Sequence, residues 1–146
     1  ARGKSYTSKV IIKYLNFLGC PVRLFNAGNK RRDHGLTGKG SSFFDSSNKN
    51  AKAQREQIAM ETLDELLDWL RSAPPGCACG IFDATNTTVA RRRAVIARCA
   101  RAERASASPL RLVFVENICN DERILEHSYQ LKLRNDDYRG ADAEQA

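Results

Sequence analysis

The chain has 146 residues and a formal net charge of +7, and hydrophobic residues make up 42% of it. This length suits one domain, and this hydrophobic content excludes an intrinsically disordered chain. No apolar run approaches the ~20 residues that a membrane-spanning helix needs. The positive charge favours an anionic partner: a nucleic acid, a membrane surface or a phosphorylated metabolite.

The first part of the chain predicts a helix, a strand and a long loop. Apolar side chains recur at helical spacing near the N-terminus, at Val10, Tyr14, Phe17 and Leu18. Gly19 then offers a helix stop, and the short apolar stretch 21–25 predicts a strand. Residues 26–50 are rich in Gly, Ser, Asn and Lys, so we predict a loop there. Loops of that length are usually functional or disordered.

Residues 51–70 give the clearest helical pattern of the sequence. The apolar face of this predicted helix consists of Ile58, Leu63, Leu66, Leu67 and Leu70. A Pro-Pro-Gly sequence breaks the pattern, and residues 77–83 then predict a buried strand that ends on Asp83.

The last part of the chain predicts helix, strand and helix. Residues 86–88 can cap a helix that continues to Arg101. Its inward-facing residues are predicted to be Val95, Ile96 and Cys99. Residues 110–116 are almost all apolar and predict a strand. Helical spacing indicates a final helix that contains Ile124, Leu125, Ser128 and Leu131.

The alternation of helices with near-continuous apolar strands predicts the α/β class with a mainly parallel sheet. The five cysteines are odd in number and include no C-x-x-C pair. We interpret them as reduced thiols, most of which are ordinary core residues.

Gly3-Lys4-Ser5 stands directly before the first predicted helix and matches the closing half of the phosphate-binding loop G-x-x-x-x-G-K-[ST]. Backbone N–H groups at a helix start bind phosphate oxygens, and the helix dipole favours anions there. Lys4 would neutralise the terminal phosphates of a nucleotide, and the Ser5 hydroxyl would hold Mg²⁺. The alternative is a chance tripeptide at a helix N-terminus, because half a motif is a weak signal.

Asp83 strengthens the phosphate-loop hypothesis. It ends an apolar strand, where a carboxylate is costly to bury without a cation. The carboxyl ends of the strands are where open α/β folds bind ligands, and phosphate-loop kinases place a metal-coordinating acid there. The alternative is an aspartate that caps a turn or helix before Thr85 and Asn86.

Basic residues follow the predicted strands. Arg31 and Arg32 come after the first strand, Arg55 lies early in the next predicted helix, and residues 91–93 are all arginine. These side chains could converge above the sheet edge and hold a second phosphate, because arginine binds phosphate bidentately. The alternative is solvated surface charge, and at least one residue of 91–93 must face solvent.

Four segments carry a family resemblance. ARGKSY, FNAGNKRR, DATNTT and ENICND resemble, in this order, GLPARGKTY, FNVGEYRR, DATNTT and ESVCDD of the kinase domain of 6-phosphofructo-2-kinase/fructose-2,6-bisphosphatase. The match at residues 83–88 is complete, and the resemblance continues through residues 130–138. It implies a three-layer α/β fold like that of phosphate-loop nucleoside triphosphatases. Residues 1–146 would be a partial kinase domain that begins inside the loop, so the first strand would be missing.

The resemblance also implies roles for individual residues. The ATP site would contain Ala1, Arg2, Gly3, Lys4, Ser5, Tyr6 and Lys132. The fructose 6-phosphate site would contain Arg31, Arg55, Thr85 and Arg91. Mg²⁺ would be held by Ser5 and Asp83, and the catalytic residues would be Lys4, Asp83, Cys119 and Lys132. By residue type alone, Cys119 is interpreted as a packed thiol and Lys132 as a surface charge. Asn29-Lys30 departs from the Glu-Tyr of the family pattern.

The activity implied by the resemblance is ATP-dependent phosphorylation of fructose 6-phosphate to fructose 2,6-bisphosphate, with Mg²⁺ as cofactor. A cytoplasmic homodimer fused to a fructose-2,6-bisphosphatase domain is expected, with no nucleic-acid or membrane partner. One alternative is another phosphate-loop kinase, which acts on a nucleic-acid end or a small metabolite. The other is a non-catalytic basic module that binds nucleic acid. We expect residues 1–146 alone to be inactive.

Overall fold

The structure is a computed structural model, and it describes residues 3–33, 49–74, 78–106 and 109–133. In chain order, its elements are α1 (Lys4–Phe17), β1 (Val22–Asn26), α2 (Ala27–Asp33), α3 (Lys49–Ser72), β2 (Cys79–Asp83), α4 (Val89–Arg104) and α5 (Glu122–Leu133). Within the described ranges, none of the helices has the length and apolar content that crossing a bilayer requires.

The two strands form a parallel sheet, in which Val22 lies opposite Cys79 and Asn26 lies opposite Asp83. Parallel strands need a crossover between them, and α3 provides the helix of this crossover. The α/β class with a parallel sheet, predicted from the alternation of patterns, is confirmed. Both strands end at the same edge of the sheet, and their last residues are polar.

The hydrophobic core lies where α3 packs against the two strands and α4. Its buried residues are Phe25, Ala59, Met60, Leu63, Leu66, Leu67, Val95 and Cys99. The rings of Phe25 and Trp69 are 6.0 Å apart between centroids. Burial raises the pKa of the Cys99 thiol, as expected for a packed cysteine.

Helix α3 approaches β2 so closely that only glycine fits at position 80. A Cβ atom placed on Gly80 would lie 2.7 Å from the side chain of Leu66, which is far inside van der Waals contact. Gly80 therefore lets the leucine-rich face of α3 lie directly on the strand that carries Asp83.

Helices α3 and α4 confirm the strongest helical patterns of the sequence. Thr88 is the N-cap of α4, and its side chain accepts a hydrogen bond from the backbone N–H of Arg91 at 3.2 Å. Val95 and Cys99 face the core as predicted, whereas Ile96 is exposed, so its predicted inward position is wrong.

The predicted loop over residues 26–50 is wrong at both ends. Residues Ala27–Asp33 form α2, and α3 begins at Lys49, while residues 34–48 lie outside the described ranges. Polar contacts stabilise α2: Asn26 Oδ1 accepts the backbone N–H of Asn29 at 2.9 Å, and Lys30 Nζ donates to Glu65 of α3 at 2.6 Å. Apolar periodicity does not detect such a helix, because contacts of this kind leave no apolar stripe in the sequence.

Residues 110–116 were predicted to form a strand, and this prediction is wrong. The segment is not helical, and no strand among the described residues pairs with it. Leu110 packs against the core, but Val113, Phe114 and Val115 are exposed. A strand requires a neighbouring ladder of N–H and C=O groups, which an apolar run does not itself supply.

The terminal helices are confirmed, but their apolar residues are mostly exposed. Phe17 of α1 is 85% exposed, and Val10, Tyr14 and Leu18 are exposed as well. In α5, Ile124 and Leu131 are also exposed. The helical spacing was therefore read correctly, although these residues do not face the core of the described structure.

Candidate active site

Polar side chains from separate elements converge at the carboxyl edge of the sheet. Asn26 ends β1, Asp83 ends β2, and the parallel register places them side by side. Ser5 reaches the same point from the first turn of α1, because its hydroxyl donates to Asp83 Oδ2 at 2.9 Å. The edge of the sheet and the start of α1 thus form one site.

Asp83 is buried, with 7% of its surface exposed, and its carboxylate is held by neutral donors. Asn26 Nδ2 donates to the same Oδ2 atom at 2.8 Å, beside the Ser5 hydroxyl. These hydrogen bonds offset part of the desolvation cost of a buried carboxylate. Of the alternative interpretation, an aspartate that caps a turn or helix, the helix-cap part is wrong because Thr88 caps α4.

The start of α1 has the geometry of an anion-binding helix terminus. Gly3 adopts a left-handed backbone conformation, with φ 81°, and has no side chain to cap the helix. The first turn contains no acidic residue that would compensate the positive end of the helix dipole. Lys4, the first helical residue, is partly buried, whereas Tyr6 is exposed.

A second contact connects α1 to the segment after the predicted last strand. The hydroxyl of Thr7 donates to Asn117 Oδ1 at 2.5 Å. Cys119 lies two residues farther along the chain, is partly buried, and is 4.0 Å through Sγ from the backbone oxygen of Asp121. The structure therefore places the segment that contains Cys119 beside the first turns of α1.

The three arginines implied by the resemblance lie on different helices. Arg31 belongs to α2, Arg55 to α3 and Arg91 to α4, and all are partly buried. Arg91 forms a bidentate ion pair with Glu56 of α3, through Nε to Oε1 at 2.7 Å and Nη2 to Oε2 at 2.5 Å.

The neighbours of Arg91 have other roles. Arg92 Nη1 donates to the backbone oxygens of Asn86 at 3.0 Å and Thr87 at 2.7 Å, so it holds the loop between β2 and α4. Arg93 is exposed, which confirms that at least one residue of 91–93 faces solvent. Thr85, in the same loop, is also exposed.

Some of the predicted site residues cannot be placed. Ala1 and Arg2 lie outside the described ranges. Lys132 belongs to the last turn of α5, but its side chain is not described. The predicted nucleotide contacts of these residues stay predictions.

The donor set at Ser5 and Asp83 fits a magnesium ion. A hydroxyl oxygen and a carboxylate oxygen are hard ligands, and here they lie 2.9 Å apart. Mg²⁺ commonly takes only one or two protein oxygens and fills its octahedron with waters and substrate phosphates. A small displacement of the Ser5 hydroxyl from Asp83 would let both oxygens face a shared ion.

Sequence reasoning missed the roles of Asn26, Glu56 and Asn117. Asn26 was assigned to a loop, although a polar residue at the end of an apolar strand is the same signal that singled out Asp83. The roles of Glu56 and Asn117 depend on contacts across 35 and 110 residues of chain, which no local pattern reveals.

Comparisons with known proteins identify the family of the chain. The family model for 6-phosphofructo-2-kinase matches residues 1–146. The chain is 38% identical to 6-phosphofructo-2-kinase 1 of Saccharomyces cerevisiae over 99% of its own length and 17% of that protein. It is 39% identical to the 6-phosphofructo-2-kinase/fructose-2,6-bisphosphatase of Gallus gallus, over 99% of the chain and 29% of that protein.

A third relative extends the similarity to nematodes. The chain is 37% identical to the 6-phosphofructo-2-kinase/fructose-2,6-bisphosphatase of Caenorhabditis elegans, over all of the chain and 32% of that protein. The chain thus spans no more than about a third of the length of these relatives. Since the family model matches the full length of the sequence, the chain belongs to the 6-phosphofructo-2-kinase family.

Proposed function

We propose that the protein containing this chain transfers the γ-phosphoryl group of ATP to the 2-hydroxyl of fructose 6-phosphate, which yields fructose 2,6-bisphosphate and ADP. The observation that carries this proposal is the contact between Ser5 at the start of α1 and Asp83 at the end of β2. It joins the phosphate-loop residues to the strand-final acid, which is the arrangement that phosphoryl transfer requires.

The start of α1 would bind the phosphates of ATP. Its first backbone N–H groups and the helix dipole favour an anion. Because Gly3 has no side chain, the backbone there can approach a phosphate closely. Lys4 would neutralise charge on the transferring phosphoryl group. Ala1, Arg2 and Tyr6 would complete the phosphate loop, and Lys132 and Cys119 are further proposed catalytic residues.

Ser5 and Asp83 would hold Mg²⁺ through a hydroxyl and a carboxylate oxygen. When bound, the ion supplies positive charge that stabilises the phosphates during transfer. Asn26 fixes the Asp83 carboxylate from the neighbouring strand, at 2.8 Å, so the acid is oriented before any ligand arrives. Catalysis then depends mainly on positioning and charge neutralisation.

Fructose 6-phosphate would be held by Arg31, Arg55, Thr85 and Arg91. Their elements, α2, α3, the loop after β2 and α4, either follow the carboxyl edge of the sheet or pack beside it. Guanidinium groups bind phosphate oxygens bidentately, so a set of arginines suits the 6-phosphate of the sugar.

The wider setting of the protein is also a proposal. The relatives from Gallus gallus and Caenorhabditis elegans carry both activities in their names, which supports a fused fructose-2,6-bisphosphatase domain. A homodimeric assembly and a cytoplasmic location stay predictions.

The test is the activity of the full-length parent protein with ATP and Mg²⁺. Fructose 6-phosphate, fructose 1-phosphate, glucose 6-phosphate and a 5′-hydroxyl oligonucleotide would be offered as acceptors, and products would be identified by ³¹P NMR. We expect fructose 2,6-bisphosphate from the first acceptor only. Phosphorylation of the oligonucleotide, or no transfer to any acceptor, would contradict the proposal.

A further inference from the structure

The two side chains of the ion pair between Arg91 and Glu56 are exposed to different extents. The side chain of Arg91 is 11% exposed, whereas that of Glu56 is 46% exposed. The glutamate can therefore move into solvent at a lower cost than the arginine can.

Glu56 occupies one of the two edges at which the guanidinium group can bind two oxygens of one anion. Its oxygens accept from Nε at 2.7 Å and from Nη2 at 2.5 Å. A phosphate cannot take this edge while the carboxylate is there. If it approached the other edge, two anions would lie against one cation.

We propose that Glu56 is an affinity-determining residue whose carboxylate competes with the phosphate of the sugar substrate for Arg91. This inference rests on the proposed function, in which Arg91 binds fructose 6-phosphate. Substrate binding then exchanges one anion for another: the half-exposed carboxylate of Glu56 moves into water, and the partly buried Arg91 stays to receive the phosphate. The cost of this exchange raises the substrate concentration that half-saturates the enzyme.

A second ion pair between the same helices provides a matched control. Arg98 of α4 donates to Asp64 of α3, and Arg98 is 36% exposed. This pair lies about two helical turns farther from the end of β2 than the pair formed by Arg91. It also joins α3 to α4 through an arginine and a carboxylate, but it does not involve a residue proposed to bind substrate.

The experiment measures steady-state kinetics of the full-length parent with Glu56→Gln and with Asp64→Asn. The amide in Glu56→Gln keeps the shape but removes the charge. We expect the KM for fructose 6-phosphate to fall by about threefold or more, with kcat and the KM for ATP unchanged. Asp64→Asn should leave all these constants at their wild-type values.

Other results would overturn the inference. A raised KM for fructose 6-phosphate in Glu56→Gln would mean that the glutamate positions Arg91 for binding, and an unchanged KM would mean that it only joins the helices. If Glu56→Gln does not fold, Glu56→Asp keeps the charge with a shorter reach, and its KM must still lie below that of the wild type. A wild-type protein that does not phosphorylate fructose 6-phosphate overturns the proposed function itself, whatever the variants do.

Discussion

The two groups of side chains that we propose to act on the substrates are built in different ways. In the transfer cluster, formed by Ser5, Asn26 and Asp83, the last two residues end paired strands, and Ser5 and Asn26 both donate to Asp83. The arginine set, formed by Arg31, Arg55 and Arg91, is spread over α2, α3 and α4. Strand pairing fixes the positions of Asn26 and Asp83, whereas helix packing fixes those of the arginines.

From this difference we expect that the transfer cluster determines the rate of phosphoryl transfer and that the arginine set determines the affinity for the sugar phosphate. Charge develops on the transferring phosphoryl group during the reaction. Groups that are already oriented, such as this carboxylate and hydroxyl, can help to stabilise that charge without first having to move. Arginines on separate helices can adjust to a bound phosphate and contribute equally to the ground state and the transition state. Substitutions in the transfer cluster should therefore lower kcat, and those in the arginine set should weaken substrate binding.

The largest effect is expected from substitutions in the transfer cluster and at Lys4 beside it. In the full-length parent, Asp83→Ala and Lys4→Ala should each lower kcat by about 100-fold or more, while the KM for fructose 6-phosphate changes little. The reason is that Lys4 is proposed to neutralise charge on the transferring phosphoryl group, and Asp83 is proposed to hold the Mg²⁺. Near-normal turnover in either variant would show that the site does not work as a phosphate-loop kinase.

Asn26→Asp tests whether the orientation of Asp83 matters as much as its presence. An aspartate can still accept the N–H of Asn29 and cap α2, but it places a second carboxylate where an amide donates to Asp83. We expect kcat to fall by about 10- to 100-fold. Asn16→Asp, on the exposed surface of α1, adds the same charge elsewhere and should have no effect. Equal activity in both variants would mean that Asn26 only caps a helix.

A smaller effect is expected in the arginine set. Arg31→Ala and Arg55→Ala should each weaken fructose 6-phosphate binding by about 1.5–3 kcal/mol, the contribution of a hydrogen bond to a charged group. ATP affinity, measured by isothermal titration calorimetry, should stay constant. Arg93→Ala removes an exposed arginine and serves as the control. Loss of ATP binding in Arg31→Ala or Arg55→Ala would assign these arginines to the nucleotide instead.

The transfer cluster was the easier of the two to predict from sequence. The Gly-Lys-Ser tripeptide and a strand that ends on Asp83 are local patterns, and each has a physical reason to stand where it does. Their contact spans 78 residues, and it could be anticipated because Ser5 and Asp83 were both predicted to hold the same Mg²⁺. Asn26 obeys the same rule but was assigned to a loop, because the polar segment after it concealed α2.

The arginine set shows where sequence reasoning stops. The positions of Arg31, Arg55 and Arg91 after strands or in a helix could be read from the pattern, but the pairing of Arg91 with Glu56 could not. Such a pair depends on how α3 and α4 are rotated against each other, which only tertiary packing decides. The wrong strand at residues 110–116 has a similar origin, because an apolar run does not specify its hydrogen-bonding partner.

The claim that the transfer cluster determines the rate and the arginine set the affinity is tested most directly by calorimetry. Fructose 6-phosphate is titrated into the wild-type full-length protein and into two variants, Asp83→Ala and Arg31→Ala. The account predicts that Asp83→Ala binds the sugar phosphate with nearly wild-type affinity although its turnover is lost, and that Arg31→Ala binds it at least about tenfold more weakly. Loss of sugar-phosphate binding in Asp83→Ala, or wild-type binding in Arg31→Ala, would contradict the account.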